Sequence, residues 1–157
     1  MGIVYLGLLL IGAGGLAVMR AYISSVGDRE SEYREMHELL LHIKREMRSF
    51  LKTPWEICQS FGGTLLAERG VLDGFALHNT EKMFDGSLLK KEDKDMLIPF
   101  FERFGTGLYE SEMEALTDIC ARFGERVEKV CFESERSKRL TPVICVFVFI
   151  SLVLMLM

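Results

Sequence analysis

Two histidines and a glutamate stand together in His37-Glu38-Leu39-Leu40-Leu41-His42. Their types suit zinc hydrolysis, in which two imidazoles on one helix face hold the metal and the carboxylate serves as general base. The spacing does not suit it. At about 100° per residue, a separation of five places the imidazoles about 140° apart around a helix, where the H-e-x-x-H separation of four places them about 40° apart. A di-iron carboxylate site needs Glu three residues before His. Arg34 stands three before His37 and Leu39 three before His42, so that arrangement fails as well. The two residues read as partly exposed histidines on a charged helix; the remaining histidine is His78.

The other reactive side chains are as scattered. Cys58, Cys120, Cys131 and Cys145 form no C-x-x-C, which argues against structural zinc and against a disulfide framework, and fits a reducing compartment. There is no Walker-type glycine loop and no G-x-S-x-G. The expectation is a non-catalytic protein without metal or other cofactor.

The elements that carry these residues are set by where charge falls. The chain has 157 residues, 49% of them hydrophobic, with net charge −4. Its 19 Lys and Arg and 23 Asp and Glu all lie between Arg20 and Arg139, leaving 1–19 and 140–157 bare. Each bare end approaches the roughly 20 apolar residues that cross a bilayer as a helix. The first has neither the cationic start nor the small-x-small cleavage site of a signal peptide, so an uncleaved span is expected. Pro142 falls in the first turn of the second, where it is tolerated. Gly2, Gly7, Gly12, Gly14 and Gly15 give the first span small residues but no strict G-x-x-x-G. Arg20 and Arg29 follow the first span, and Arg126, Lys129, Arg136, Lys138 and Arg139 precede the second. Since Lys and Arg next to spans stay in the cytoplasm, the expected topology is a hairpin with 20–139 cytoplasmic and both termini outside. The acidic balance offers no basic face for nucleic acid.

The middle is helical by pattern. After a break expected at Gly27-Asp28, Tyr33, Met36, Leu40, Ile43, Met47 and Phe50 follow at steps of 3, 4, 3, 4 and 3. Met113, Leu116, Cys120, Phe123, Val127 and Val130 repeat the series. Such spacing holds one helix face on a partner along its length. The spacing predicts two helices of about 23 and 28 residues, roughly 34 and 42 Å long. Between them, Thr53-Pro54-Trp55-Glu56 is a capping box with proline preset for the first helical position, opening a helix to about Phe61. Residues 63–88 read as weaker helix interrupted by Gly70, Gly74 and Gly86. Leu97, Phe101, Phe104 and Leu108 form an apolar series that Pro99 interrupts. Gly105 and Gly107 close it, and Ser111-Glu112-Met113-Glu114 reads as the start of the last long helix. The charged clusters 28–38, 90–95 and 125–139 read as solvated faces. The fold class expected is all-α: an antiparallel helical bundle or hairpin of long heptad helices with shorter connecting helices, flanked by two transmembrane helices. The expected parts are 1–26 as first span and exit, 27–139 as cytoplasmic domain, and 140–157 as second span.

Leu40, Ile43, Glu46 and Met47, then Phe50 and Thr53-Pro54, then Phe101, Phe104-Gly105 and Ile119, and Lys138 before a terminal span, together resemble the stage III sporulation protein AB family over nearly the whole chain. The chain departs from that pattern at Leu51, Trp55 and Leu108 and in its glycine-free last span. The resemblance implies a non-catalytic platform subunit of the channel between mother cell and forespore, similar in its cytoplasmic part to a repeat of the type II secretion F platform protein. It implies as partners a secretion-type ATPase and the other stage III channel subunits, with room for a homo-oligomer, and a place in the mother-cell membrane facing the forespore. Candidate structural and interaction residues are Thr53, Pro54, Glu56, Phe104, Gly105 and Phe123. A membrane-tethered helical adaptor or signalling protein is the alternative outside secretion, and a membrane metalloenzyme is a third reading.

Overall fold

The computed structural model describes residues 2–49 and 52–156, and the side chains of these except at 2–11, 49, 152 and 156. Phe50 and Leu51, and most side chains of the first expected span, lie outside the described residues. All the described elements are helices: α1 (Gly2–Ser49), α2 (Pro54–Ser60), α3 (Thr64–Glu68), α4 (Val71–Ala76), α5 (Thr80–Phe84), α6 (Lys91–Arg103) and α7 (Tyr109–Leu156). Among the described residues there is no strand. The chain divides into two compact units, Arg29–Val130 and the pair of segments Met1–Asp28 and Cys131–Met157.

Two expected boundaries are overturned. Helix α1 runs without a break through Gly27-Asp28 and is 48 residues long. One glycine inside a helix costs only about 1 kcal/mol, and the following turns are helix-supporting, with Arg34 paired to Glu30 four residues before it at 2.9 Å. Helix α7, also 48 residues, starts at Tyr109 rather than at the Ser111 box. Glu112 reaches back past the first turn to accept the Gly107 N–H at 2.7 Å, while its own N–H bonds to the Leu108 carbonyl. That bond makes the sequence from Leu108 onward helical before Ser111 can act as a cap.

In the Arg29–Val130 unit the two apolar series are buried except at Met47 and Met113, which are half-buried. Tyr33, Met36, Leu40 and Ile43 of α1 are inaccessible, as are Leu116 and Phe123 of α7, and Cys120, Val127 and Val130 are nearly so. Tyr33 and Phe123 stack in parallel with centroids 5.7 Å apart, and the His37 ring lies 6.4 Å from Phe123. A second part of the core is aromatic. Phe75 of α4 meets Phe101 edge-on at 5.3 Å and Phe104 at 5.4 Å, and Phe100 packs on both of those rings. Full burial of each such ring contributes about 1.5–3 kcal/mol. Leu108 does not join this series and is 82% exposed. Helix α6 ends at Arg103, and Gly105 turns the chain with φ +83°, so the spacing that placed Leu108 on the apolar face no longer applies. Pro99 lies inside α6, which continues through it to Arg103.

Short helices α2 to α5 are joined by close turns. The tightest approach to a backbone is at Gly74, where a Cβ would fall 2.4 Å from both Cα and N of Met83. Only glycine lets α4 and α5 come this near. Gly70, at φ +73°, supplies the left-handed residue that starts α4.

The unit formed by the terminal segments packs Gly12 of α1 against Phe149 of α7, where a Cβ on Gly12 would stand 3.2 Å from the ring. An apolar cavity of about 240 Å³ lies between Gly15 and Met19 on one side and Pro142 and Val146 on the other. Among the described residues, α7 is the one helix long and apolar enough to cross a membrane, and none of its apolar window is buried. Phe147, Val148 and Leu154 are among the side chains it leaves exposed.

Candidate functional site

Buried polar side chains of the Arg29–Val130 unit converge on the segment between α5 and α6. Glu32 is fully buried. Its carboxylate accepts the Ser87 hydroxyl at 2.5 Å and the Leu88 N–H at 2.9 Å, and Arg69 Nε lies 3.2 Å away. Arg69 also donates to the Gly86 carbonyl at 3.0 Å, and Lys94 Nζ donates to the carbonyls of Phe84 and Ser87, both at 2.9 Å. At the next residue of α1, the Tyr33 hydroxyl donates to Asp93 Oδ2 at 2.6 Å and accepts the Lys90 N–H at 3.0 Å. Asp93 is 2% exposed, and its other oxygen faces Arg126 Nε of α7 at 3.1 Å. Burial, and after it the bond to Asp93, push the Tyr33 phenol up to about 12.

Two charged positions expected on solvated faces are thus interior. Each buried carboxylate has a cation and at least one hydrogen-bond donor, the condition under which a buried charge is sustained. The spacing carried a signal for both: Glu32 continues the row Met36, Leu39 and Ile43 at steps of 4, 3 and 4, and Asp93 continues Leu97 and Phe101. A charge that extends a buried apolar row is placed to be buried with it.

Two further residues of α1 hold the shorter helices. Glu35 accepts the N–H groups of Leu65 at 3.3 Å and Leu66 at 3.0 Å, capping the start of α3 from outside. His42 is 9% exposed rather than partly open, with Nε2 at 2.9 Å from Ser60 Oγ. The Ser60 proton is given to the Ile57 carbonyl at 3.0 Å, so His42 Nε2 is the donor. His42 packs on Phe61 of the α2 end, whereas His37 faces Phe123 and Gly124 of α7. The two imidazoles therefore serve different neighbours, as their five-residue spacing requires. Among the described residues no group of three or more His, Cys, Asp or Glu is arranged to hold a metal ion.

The six residues singled out by sequence sit at three separate points. Thr53 caps α2, with its hydroxyl accepting the Glu56 N–H at 3.4 Å, and Glu56 accepts the Thr53 N–H at 2.8 Å; Pro54 occupies the first turn. The Thr53 backbone N–H, and then its hydroxyl, hold the Glu56 carboxyl below the usual carboxylate value. Phe104 is buried in the aromatic cluster and Gly105 makes the turn after it. Phe123 is fully buried against Tyr33. All six shape the helical body, and among the described residues no hydrogen bond or ring contact draws the three points into one site. No family model, curated protein or solved structure matches the chain. Burial, reinforced by Asp73, pushes the Cys58 thiol up to about 11, and burial raises that of Cys120, so these two thiols are held in the protonated, less nucleophilic form. What the arrangement can do is fix the positions of helices relative to one another. Glu32 and Asp93 pair with Arg69 and Arg126, and Glu32 and Glu35 accept backbone N–H groups of Leu88 and Leu66.

Proposed function

We propose that this protein is a non-catalytic membrane platform subunit, similar in role to the stage III sporulation protein AB family, that docks a secretion-type ATPase and joins the other channel subunits between mother cell and forespore. On this reading α1 and α7 pair as an antiparallel hairpin whose uncharged ends, 1–19 and 140–157, both cross the mother-cell membrane. Residues 20–139 face the cytoplasm and both termini lie outside. The observation that carries the membrane part is the wholly unburied apolar window of α7, continuous in one helix with the Phe123 seam. In water its exposed Phe147, Val148 and Leu154 would cost about 1.5–3 kcal/mol each relative to burial, a cost that hydrocarbon removes. The channel assignment rests on the sequence resemblance, and the tethered body held by buried Glu32 and Asp93 pairs suits a docking role.

The test is co-purification from sporulating cells. Recovery of the secretion-type ATPase together with stage III channel subunits is expected. Their absence, under conditions that keep those subunits with one another, would remove the assignment.

A further inference from the structure

Opposite its buried row, α1 presents a second row with the same spacing. Glu38, Leu41, Arg45 and Arg48 follow at steps of 3, 4 and 3, and all four are exposed, Leu41 by 40%. They form one wall of an open groove of about 900 Å³ whose opposite side is the turn at Phe61 and Gly62. Gly62 has open space where a Cβ would be, so the backbone of that turn is reachable from the groove. A 3-4-3 row shares one helix face over several turns, so a helix lying along the groove can meet all four side chains. The charge is divided along it: Glu38 stands at one end, and Arg45 and Arg48 at the other. Ten residues of helix separate Glu38 from Arg48, about 15 Å. A single small anion reaches only the basic end, and an anionic membrane surface would meet Glu38 with like charge. A helix spans the whole row.

We infer that this groove receives a helix of the partner protein, with carboxylates opposite Arg45 and Arg48, an apolar side chain on Leu41 and Phe61, and a Lys or Arg opposite Glu38. The inference rests on the docking role proposed above and gives the docked ATPase segment its chemistry. Opposed charges at the two ends also set the direction in which that helix lies.

The experiment titrates the purified secretion-type ATPase onto the full chain in lipid nanodiscs. Arg45→Glu with Arg48→Glu is expected to weaken binding at least tenfold, and Glu38→Lys alone to weaken it severalfold. Glu128→Lys, on α7, should leave it unchanged, and added salt should weaken the parent more than the double variant. Far-UV ellipticity checks that each variant is folded. Equal binding of the ATPase by parent and double variant overturns the groove while leaving the docking role standing. If the ATPase binds neither, the docking role falls, and a synthetic helical peptide with Lys in its first turn and Glu residues in its third decides the groove. Binding of that peptide by the parent, weakened at least tenfold in the double variant, upholds it; no binding overturns it. Displacement of the bound ATPase or peptide by an equal concentration of inorganic phosphate identifies a simple anion site and overturns it too.

Discussion

Tyr33→Phe isolates the work of one hydroxyl. The ring remains to stack on Phe123, but Asp93 Oδ2 loses its 2.6 Å donor and the Lys90 N–H its 3.0 Å acceptor. A hydrogen bond to a charged group contributes about 1.5–3 kcal/mol, and a stranded buried partner costs about 1–3 kcal/mol. Arg126 stays beside Asp93 and retains part of the carboxylate's stabilisation. The expected loss at neutral pH is therefore about 2 kcal/mol.

The same hydroxyl makes stability depend on alkaline pH. The folded phenol is raised from 10.0 to about 12. Between those values the unfolded chain has released the proton that the folded chain still holds, so the unfolded state binds fewer protons and stability falls as pH rises. The contribution is complete below pH 10 and is lost as pH rises through about 12, a swing of at most about 3 kcal/mol. Denaturant unfolding of the full chain in detergent, followed by ellipticity, should give the parent a steeper decline over this window than Tyr33→Phe. The tyrosinate absorbance should show a step near pH 12 that the variant lacks. A variant within about half a kcal/mol of the parent at neutral pH, or sharing its alkaline slope, would refute the assignment of this hydroxyl as a structural bond.

Gly74→Ala should destabilise the Arg29–Val130 unit by about 1–3 kcal/mol, because its Cβ would stand 2.4 Å from Met83 backbone and displace α5, outweighing the gain in helix propensity. A melting temperature at or above the parent's would show that the turn yields without cost. Phe123→Asp places an unpaired charge against Tyr33 and should cost several kcal/mol and most of the cooperative melt, whereas Phe123→Leu should fold. Unchanged helicity and melting in the aspartate variant would mean that position 123 takes up water.

The apolar rows were legible because burial on a helix repeats at a fixed angle: Tyr33 to Ile43 and Leu116 to Val130 needed only their spacing. The Thr53-Glu56 cap was legible for a similar reason, since both of its hydrogen bonds join residues three apart. Boundaries were harder. Gly27 and the Ser111 box are each locally able to end or begin a helix, but the residues around them continue the helix at little cost, and a local signal of about 1 kcal/mol does not override that. The buried charges were hidden for a different reason. Glu32 finds Ser87 and Arg69, and Asp93 finds Tyr33 and Arg126, across 33 to 60 residues of chain, so composition reads them as surface until their partners are in place. The groove at Glu38 to Arg48 needed the turn at Phe61 and Gly62 beside it, which no spacing within α1 could supply.

From residue 32 to 48, α1 divides its circumference among three tasks. One row, Tyr33 to Ile43, is core; a second, Glu32, Glu35 and His42, binds the backbone and side chains of α3, the 87–88 turn and α2; a third, Glu38 to Arg48, lines the groove. Apolar contact alone would let helices slide or rotate at small cost, since packing is nearly non-directional. Carboxylates that must meet particular N–H groups do not permit it, and removing one partner of a buried pair costs about 3–5 kcal/mol. The second row therefore fixes the rotation of α1 about its own axis relative to the short helices. That rotation decides which residues form the third row and keeps Arg45 and Arg48 facing the groove. A surface that recognises a partner by the separation of its charges requires this constraint, because a turn of one residue, about 100°, would carry the whole row out of register.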